Sequence, residues 1–419
     1  MDTGDTAWIL ASSALVLLMT PGLAFFYGGM VRSKTVLNMM MMSFAALAVV
    51  PVLWVLYGYS MTFSPGGNGL LGGAERLGLS NLSVDSLYGT IPEYVFVGFQ
   101  LMFAIITVAL ISGAVADRAK FSSWVLFAAI WVSVVYFPVA HWVFDFGGQD
   151  GEGGGWIATK LEAIDFAGGT AVHINAGAAG LALALVLGKR VGWRRDPMRP
   201  HNLPFVLLGA GLLWFGWFGF NAGSALGANG TAALAFLNTA VATGAAICGW
   251  LLVESIRDKK GTSLGAASGA VAGLVAITPA AGSISPLGSI LLGIIAGVLC
   301  AFAVGLKYRF GFDDSLDVVG VHLVGGLVGT ILIGFLAVGD VGLFYGGGAS
   351  QLGKQVVAAL AVLAYSFVLT YIIGKLIDVT IGFRLDEEHE VTGIDQVEHL
   401  ETAYDEAGLL GGSNLKTGV

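Results

Sequence analysis

Two histidines sit inside otherwise apolar segments, and each is followed by the same glycine spacing: His173-Ile-Asn-Ala-Gly177-Ala-Ala-Gly180 and His322-Leu-Val-Gly-Gly326-Leu-Val-Gly329. A neutral imidazole donates one hydrogen bond, accepts another, and can relay a proton through its second nitrogen. An ionisable pair within apolar segments therefore marks a path for a small substrate or for a proton. Each histidine also follows an aspartate near the start of its segment, Asp165 in DFAGGTAVH and Asp317 in DVVGVH, so the two read as one unit used twice. Such duplication is a mark of transporters built from two repeats.

Composition says where such a unit resides. Only 11% of the 419 residues are charged, against roughly 25% in soluble domains, and mean hydropathy is +0.81. The chain is read as an integral membrane protein in a lipid bilayer. Its 63 glycines recur within apolar runs such as AGAAGLALA, where small residues let helix backbones approach closely.

Apolar runs of spanning length, about 20 residues each, fall near 7–30, 38–63, 93–116, 122–146, 166–188, 203–223, 231–255, 263–281, 286–306, 318–338 and 355–378. They are continuous rather than alternating, which favours helices over a barrel. With the N-terminus outside, only Arg76, Lys160 and Lys354 of the 20 Lys and Arg residues lie on the outer side, as the positive-inside rule requires. One missed helix would invert every later loop. The expected fold is an all-α integral membrane protein of eleven transmembrane helices. Two inverted five-helix repeats (about 7–188 and 203–338) precede a long final helix (about 355–378), with the N-terminus outside and the C-terminus cytoplasmic. Residues 1–380 form the membrane domain and 381–419 a cytoplasmic tail. No cleaved leader is expected from the start Met1-Asp-Thr-Gly-Asp, which lacks a basic region.

Topology then places the histidines. His173 lies eight residues past Asp165, roughly 12 Å from the outer end of its span, and His322 five residues past Asp317, roughly 7.5 Å from the inner end. The imidazoles approach the midplane from opposite faces, as a site between inverted repeats demands. Asp165 and Asp317 are read as helix caps or dipole partners rather than substrate contacts. His141 and His201 stand beside loops and are read as solvated; His389 and His399 lie in the polar tail. Cys248 and Cys300 fall within spans, so neither a disulfide framework nor a thiolate metal site is indicated.

Outer span ends gather aromatic and small polar groups: Phe99 and Phe103 on the third, Trp142 and Phe144 on the fourth, Trp217, Phe220 and Ser224 on the sixth. Interfacial aromatics commonly form only a belt. Here their faces would attract a small cation by roughly 0.5 to 2 kcal/mol, with Ser224 as an acceptor. A cation that can lose a proton is separable from a metal cation of like size, because its neutral form crosses an apolar constriction while the metal ion has no neutral form and meets a large desolvation cost.

Six strings in order, PGLAFFYGG (21–29), FQLMFAIIT (99–107), DFAGGTAVHIN (165–175), GWFGFNAGSA (216–225), SGAVAGLVAITP (268–279) and DVVGVHLVGG (317–326), resemble signature segments of the Amt/Mep/Rh ammonium transporter family, closest to its Amt branch. The resemblance spans about residues 7 to 385. It implies that Phe103 and Phe220 form a stacked gate, that Ser224 contributes to an outer ammonium site, and that His173 and His322 are twin pore histidines. Asp165 would shape the outer vestibule, with Asp317 as its inner counterpart. Phe99, Trp217, Ser268 and Thr278 would line the path, and Phe26 would lie near the outer mouth. The family's outer tryptophan falls on Phe144, with Trp142 two residues earlier, so either the outer site binds more weakly or Trp142 compensates. A homotrimer is implied, with one pore per subunit.

The tail segment FRLDEEHEVTGIDQVEHLETAYDEAG resembles the family's cytoplasmic tail, which lies against a neighbouring subunit and supports regulation by a PII-type signalling protein. Order is expected through about Glu406 and disorder after Gly411. No cofactor, metal or nucleic acid is expected. Three rivals remain. A neutral gas channel for ammonia or carbon dioxide would suit the apolar pore, and inhibition by methylammonium would argue against it. A sensor would be favoured by a tail fused to a signalling domain, which is not expected here. An enzyme is disfavoured, since an embedded hydrolase needs a nucleophile or metal set and the sequence has neither HExxH nor paired carboxylates.

Overall fold

Without water, only a helix satisfies every backbone N–H and C=O of a lipid-facing segment internally, and the long apolar runs fold accordingly. The computed structural model describes residues 1–147 and 153–404. Ten of its helices are long and apolar enough to cross a membrane: α1 (Thr3–Met30), α2 (Ser33–Phe63), α3 (Glu93–Val115), α4 (Phe121–Phe144), α5 (Gly169–Leu187), α6 (Leu203–Gly223), α7 (Gly230–Arg257), α9 (Pro286–Phe310), α10 (Val319–Leu336) and α11 (Ser350–Thr380). Between α7 and α9 lies α8 (Ser263–Ile277), apolar but only 15 residues long.

The eighth expected segment, 263–281, is therefore shorter as a helix than its apolar run. At ~1.5 Å per residue, α8 covers about 22 Å. Pro279 accounts for the early stop, because it has no backbone N–H to continue the helical ladder. Its ring packs where a Cβ on Gly169 would sit, at the start of α5, and its carbonyl accepts from Phe166 N at 3.0 Å.

α1 lies along α6, α7 along both α8 and α9, and α11 along α5 and α10. Leucines and phenylalanines such as Leu207, Phe215, Leu252, Leu287, Leu360 and Leu376 stay exposed on the outside of this bundle, where lipid tails cover them in a multi-pass membrane protein. Among the described residues the sole sheet is a two-stranded hairpin, Leu87–Tyr88 with Ile91–Pro92.

The end of the bundle opposite the N-terminus is tied by charge. Arg190 grips Asp313 through two nitrogens at 2.9 Å each and reaches Asp117 at 3.2 Å; Arg32 joins Asp117 at 3.3 Å. The fully buried Arg118 donates to Ser315 Oγ and the Asp313 carbonyl, both at 2.6 Å. Burial would raise the Asp313 carboxyl, but its bonds to Arg190 outweigh that and hold it below its usual range.

The tail folds back over these loops. Glu390 pairs with Arg384 at 2.6 Å and accepts from Val191 N at 2.9 Å. Asp395 accepts from Leu37 N and Asn38 N at 3.0 and 2.8 Å, and Glu398 accepts from Phe121 N at 2.9 Å. Acids from the tail thus cap the N-terminal ends of α2 and α4, where the helix dipole favours negative charge. The described tail packs on loops of its own chain. The expected change from order to disorder between Glu406 and Gly411 lies outside the described residues.

Both loop-side histidines depart from the expectation of solvation. His201 is half-buried, its nitrogens facing Val31 O at 2.9 Å and Tyr404 Oη at 2.8 Å. His141 is fully buried, because the loop after α2 folds back over it. His399, in the tail, faces Asn38 Oδ1 at 3.0 Å.

Candidate functional site

The two histidine helices begin alike. α5 opens with a π-helical turn, Gly169–Ile174, that carries His173, and α10 opens with another, Val319–Leu323, that carries His322. π turns recur at functional sites because they redirect one side chain without ending the helix. Four residues past each histidine stands a glycine that receives the other's turn. A Cβ on Gly177 would sit 2.5 Å from Leu323 N, and one on Gly326 would sit 3.1 Å from Ile174 N. The shared His-x3-Gly spacing is explained by this reciprocal close approach, which brings His173 Nδ1 to 3.3 Å from His322 Nδ1. One ring donates to the other. Nε2 of His173 is buried without a partner.

Above α5, the Asp165 carboxylate accepts from the backbone N–H groups of Gly168, Gly169, Thr170 and Ala171 at 2.8, 2.6, 2.8 and 3.2 Å, and from the Thr170 hydroxyl. It caps a buried helix start that otherwise leaves orphan donors. At α10 the equivalent acid is Asp314, which accepts from Val318 N and Val319 N at 3.1 and 2.7 Å. Asp314 stands eight residues before His322, as Asp165 stands eight before His173. This corrects the expected pairing with Asp317. That residue instead takes a left-handed backbone (φ 63°), and its side chain pairs with Lys307 at 2.7 Å. Asp313, Asp314 and Asp317 crowd one short loop, and only the second reaches the helix N–H groups. The repeated spacing of eight was the available signal.

Burial pushes the Asp314 carboxyl up to about 6, with Lys307 pulling it down and Asp317 adding to the rise. A raised acid binds its proton more tightly in the folded chain, so this group's contribution to stability is greatest below the unfolded value of about 3.9. It is lost as pH rises through about 6. Asp314→Asn keeps one acceptor and cannot ionise. Its melting temperature relative to the parent is expected to rise by a few degrees between about pH 4 and 6; a difference independent of pH would refute this linkage.

Three spaces line up along the histidines. On the N-terminal face a cavity of about 500 Å³ is lined by Phe99, Gln100, Phe103, Phe144, Phe146, Asp165 and Ser224, among others. Its floor is Phe103 against Phe220, with ring centroids 4.3 Å apart. Beneath lies a space of about 10 Å³, lined by His173, His322, Trp217, Phe220 and aliphatic side chains including Met19, Leu23, Leu213 and Val271. On the tail face a polar cavity of about 490 Å³ is bordered by Arg190, Trp193, Arg194, Lys307 and Asp317.

Other predicted residues fall around this line. Trp217 lies 5.4 Å from the His173 ring, and its Nε1 donates to Thr278 Oγ1 at 2.8 Å. Thr278 therefore orients the tryptophan. Phe99 packs edge-on to Phe103 at 4.9 Å, and the Ser224 hydroxyl donates to the Phe220 carbonyl at 2.8 Å, leaving its lone pairs free. Phe144 lines the cavity and lies 6.3 Å from Phe103. Trp142 faces away, its Nε1 donating to Leu70 O at 3.0 Å and its ring packed on Tyr365 and Trp156. Two residues apart on a helix point about 200° apart at 3.6 residues per turn, so Trp142 cannot stand in for Phe144. Phe146, overlooked in the sequence, joins Phe144 at the cavity wall.

Phe26 is not near this cavity. α1 starts at the N-terminal face, where Asp5 accepts from Ala228 N at 2.8 Å, and runs away from it. Phe26 consequently packs at Gly209, near the opposite end of α6. Among the described residues there is no cluster of three or more His, Cys, Asp or Glu side chains suited to a metal ion.

The sequence and the fold both have relatives among known proteins. The Ammonium Transporter Family model matches residues 7–404. The chain belongs to this family. An ammonium transporter of Mycobacterium tuberculosis is 61% identical over 432 residues, 96% of this chain and 91% of that protein. One from Bacillus subtilis is 49% identical, covering 97% of this chain and all of the relative. Among solved structures, Candida albicans Mep2 superposes with a TM-score of 0.83 at 36% identity, over 93% of this chain and 87% of its own. A protein described as a sensor Amt protein reaches a TM-score of 0.88 at 28% identity, over 94% of this chain and 98% of its own. This family member is a multi-pass protein of the cell membrane, and its relatives' names point to transport rather than catalysis.

Proposed function

We propose that this ammonium transporter family member takes up ammonium at the Phe144–Ser224 cavity, removes a proton there, and conducts ammonia between His173 and His322. The observation that carries this reading is the enclosed constriction of about 10 Å³ beneath Phe103 and Phe220, lined by aliphatic and aromatic side chains and the two histidines. That volume holds about one water-sized molecule, which fits ammonia and excludes a hydrated cation. His173 and His322 border this space, and in this reading each passing ammonia exchanges hydrogen bonds with their nitrogens. Their mutual bond also offers a route for the released proton.

In this reading the N-terminal face is extracellular and the tail cytoplasmic. The eleven apolar helices form two inverted repeats, 7–188 and 203–338, followed by the final helix at 355–378. Supporting this are the equal spacing of Asp165 and Asp314 from their histidines and the reciprocal seating at Gly177 and Gly326. Asp165 shapes the outer site and favours a cation there, while Asp317 holds the inner mouth through Lys307. The chain works as a homotrimer, and a PII-type signalling protein meets its tail face.

Proteoliposomes with a trapped pH dye test the reading. An inward ammonium gradient should alkalinise the lumen faster than in protein-free vesicles if ammonia passes without its proton. A proton carried with each ammonia should instead produce a current. Neither response from intact protein would favour a sensing role over transport.

Phe144 offers a separate test. Trp binds cations more strongly than Phe, and a whole cation–π contact at an exposed site is worth about 0.5 to 1 kcal/mol. Phe144→Trp should lower the half-saturating ammonium concentration, by up to roughly five-fold. An unchanged value would remove Phe144 from the binding site.

A further inference from the structure

The outer end of α4 carries a histidine that the conduction path does not use. His141 has no exposed surface. Its Nδ1 lies 2.7 Å from the Thr62 carbonyl oxygen and 3.2 Å from Asp145 Oδ2, and its Nε2 lies 2.6 Å from the Asn68 carbonyl oxygen. A backbone carbonyl only accepts. A neutral imidazole has one N–H, so one ring nitrogen would face a carbonyl lone pair to lone pair at contact distance. Two N–H groups remove that conflict. Burial opposes a charged ring, but three oxygen partners, one of them a carboxylate, offset the loss of water.

We propose that His141 is held as an imidazolium ion-paired with Asp145, and that its two N–H groups pin the end of α2 at Thr62 and loop 64–73 at Asn68 to the outer end of α4 and so position Phe144. The same loop is tied twice more, by Trp142 Nε1 to Leu70 O and by Trp156 N to Gly69 O, both at 3.0 Å. Asp145 in turn accepts from Gly147 N at 3.0 Å through its side chain and from Gly155 N at 2.8 Å through its carbonyl. Gly155 packs directly on the His141 carbonyl, where a Cβ has no room. One proton therefore joins the segment carrying Phe144 to two loops.

Among the described residues the charged surroundings are few. Loop 64–73 has no titratable residue. From the elements packed around it, Asp145 is the contacting carboxylate, with Tyr88 near Asp145. The Arg76–Glu93 pair and Tyr59 lie beyond the far side of the loop, and Lys160 and Tyr365 lie on the Trp142 side. The positioning role rests on the proposed ammonium site, whereas the protonation state of His141 does not.

The test uses the full chain in lipid nanodiscs with ¹⁵N-labelled histidine, and assigns His141 by its loss in His141→Gln. Both His141 nitrogens should remain protonated at about pH 8, where an ordinary histidine is neutral. An unprotonated His141 nitrogen at that pH would overturn the proposal; should His141→Gln not fold, His141→Asn supplies the assignment. In proteoliposomes, His141→Gln should raise the half-saturating methylammonium concentration by roughly ten-fold while the maximal rate changes far less. An unchanged half-saturation, or an equal fall in affinity and rate, would overturn the positioning role. Absence of uptake by the unaltered protein would instead count against the transport reading and leave the NMR result standing.

Discussion

Replacing His173 and His322 together by alanine should abolish selective ammonium conduction while the protein still folds. Among the described residues neither ring caps a helix or pairs with an acid, and their mutual bond at 3.3 Å is the one hydrogen bond of either side chain. Removing both leaves an enlarged apolar space, and ammonia crossing it has no partner. Leaving a polar molecule without its hydrogen bonds costs about 2 kcal/mol or more, a loss of roughly thirty-fold or more in rate. Solid-supported membrane electrophysiology and the vesicle pH assay, run together on both proteins, detect charged and neutral passage. A variant that conducts potassium would show that the rings also bar cations. Ammonium transport at the parental rate would remove the pair from the mechanism.

The second large effect is expected at Asp165. Alanine there strips the acceptor from four backbone N–H groups and the Thr170 hydroxyl in a buried site. Each unsatisfied donor costs about 1–3 kcal/mol, so Asp165→Ala should lower the melting temperature markedly and reduce methylammonium uptake at least hundred-fold. Asp165→Asn retains one acceptor oxygen and should fall between. Uptake lost at an unchanged melting temperature would assign the carboxylate to the cation itself rather than to the helix cap.

Much of this site was legible because it violates the surrounding composition. His173, His322 and Asp165 stand out in apolar runs, and the aromatic residues at the span ends follow helical spacing. Asp314 was hidden by its neighbours, since three acids within five residues look equivalent until one meets the N–H groups of α10. The choice between Phe144 and Trp142 depends on the rotation of α4, which is set by contacts with Leu70 and Tyr365, far away in sequence. His141 was misread for the same reason, because its carbonyl partners at Thr62 and Asn68 lie more than 70 residues earlier. The shortness of α8 was readable from Pro279. The acids that seat the tail on α2 and α4 were not, because a polar segment reads the same in sequence whether its carboxylates are solvated or capping.

The claim that only the neutral form crosses is tested most directly by tracer uptake into proteoliposomes, comparing labelled methylammonium with rubidium as the potassium analogue. Saturable methylammonium uptake with rubidium entry no faster than in empty vesicles is the predicted result. Rubidium entering at a rate comparable to methylammonium would contradict it, because a cation with no proton to lose would then be crossing the constriction between Phe220 and His322.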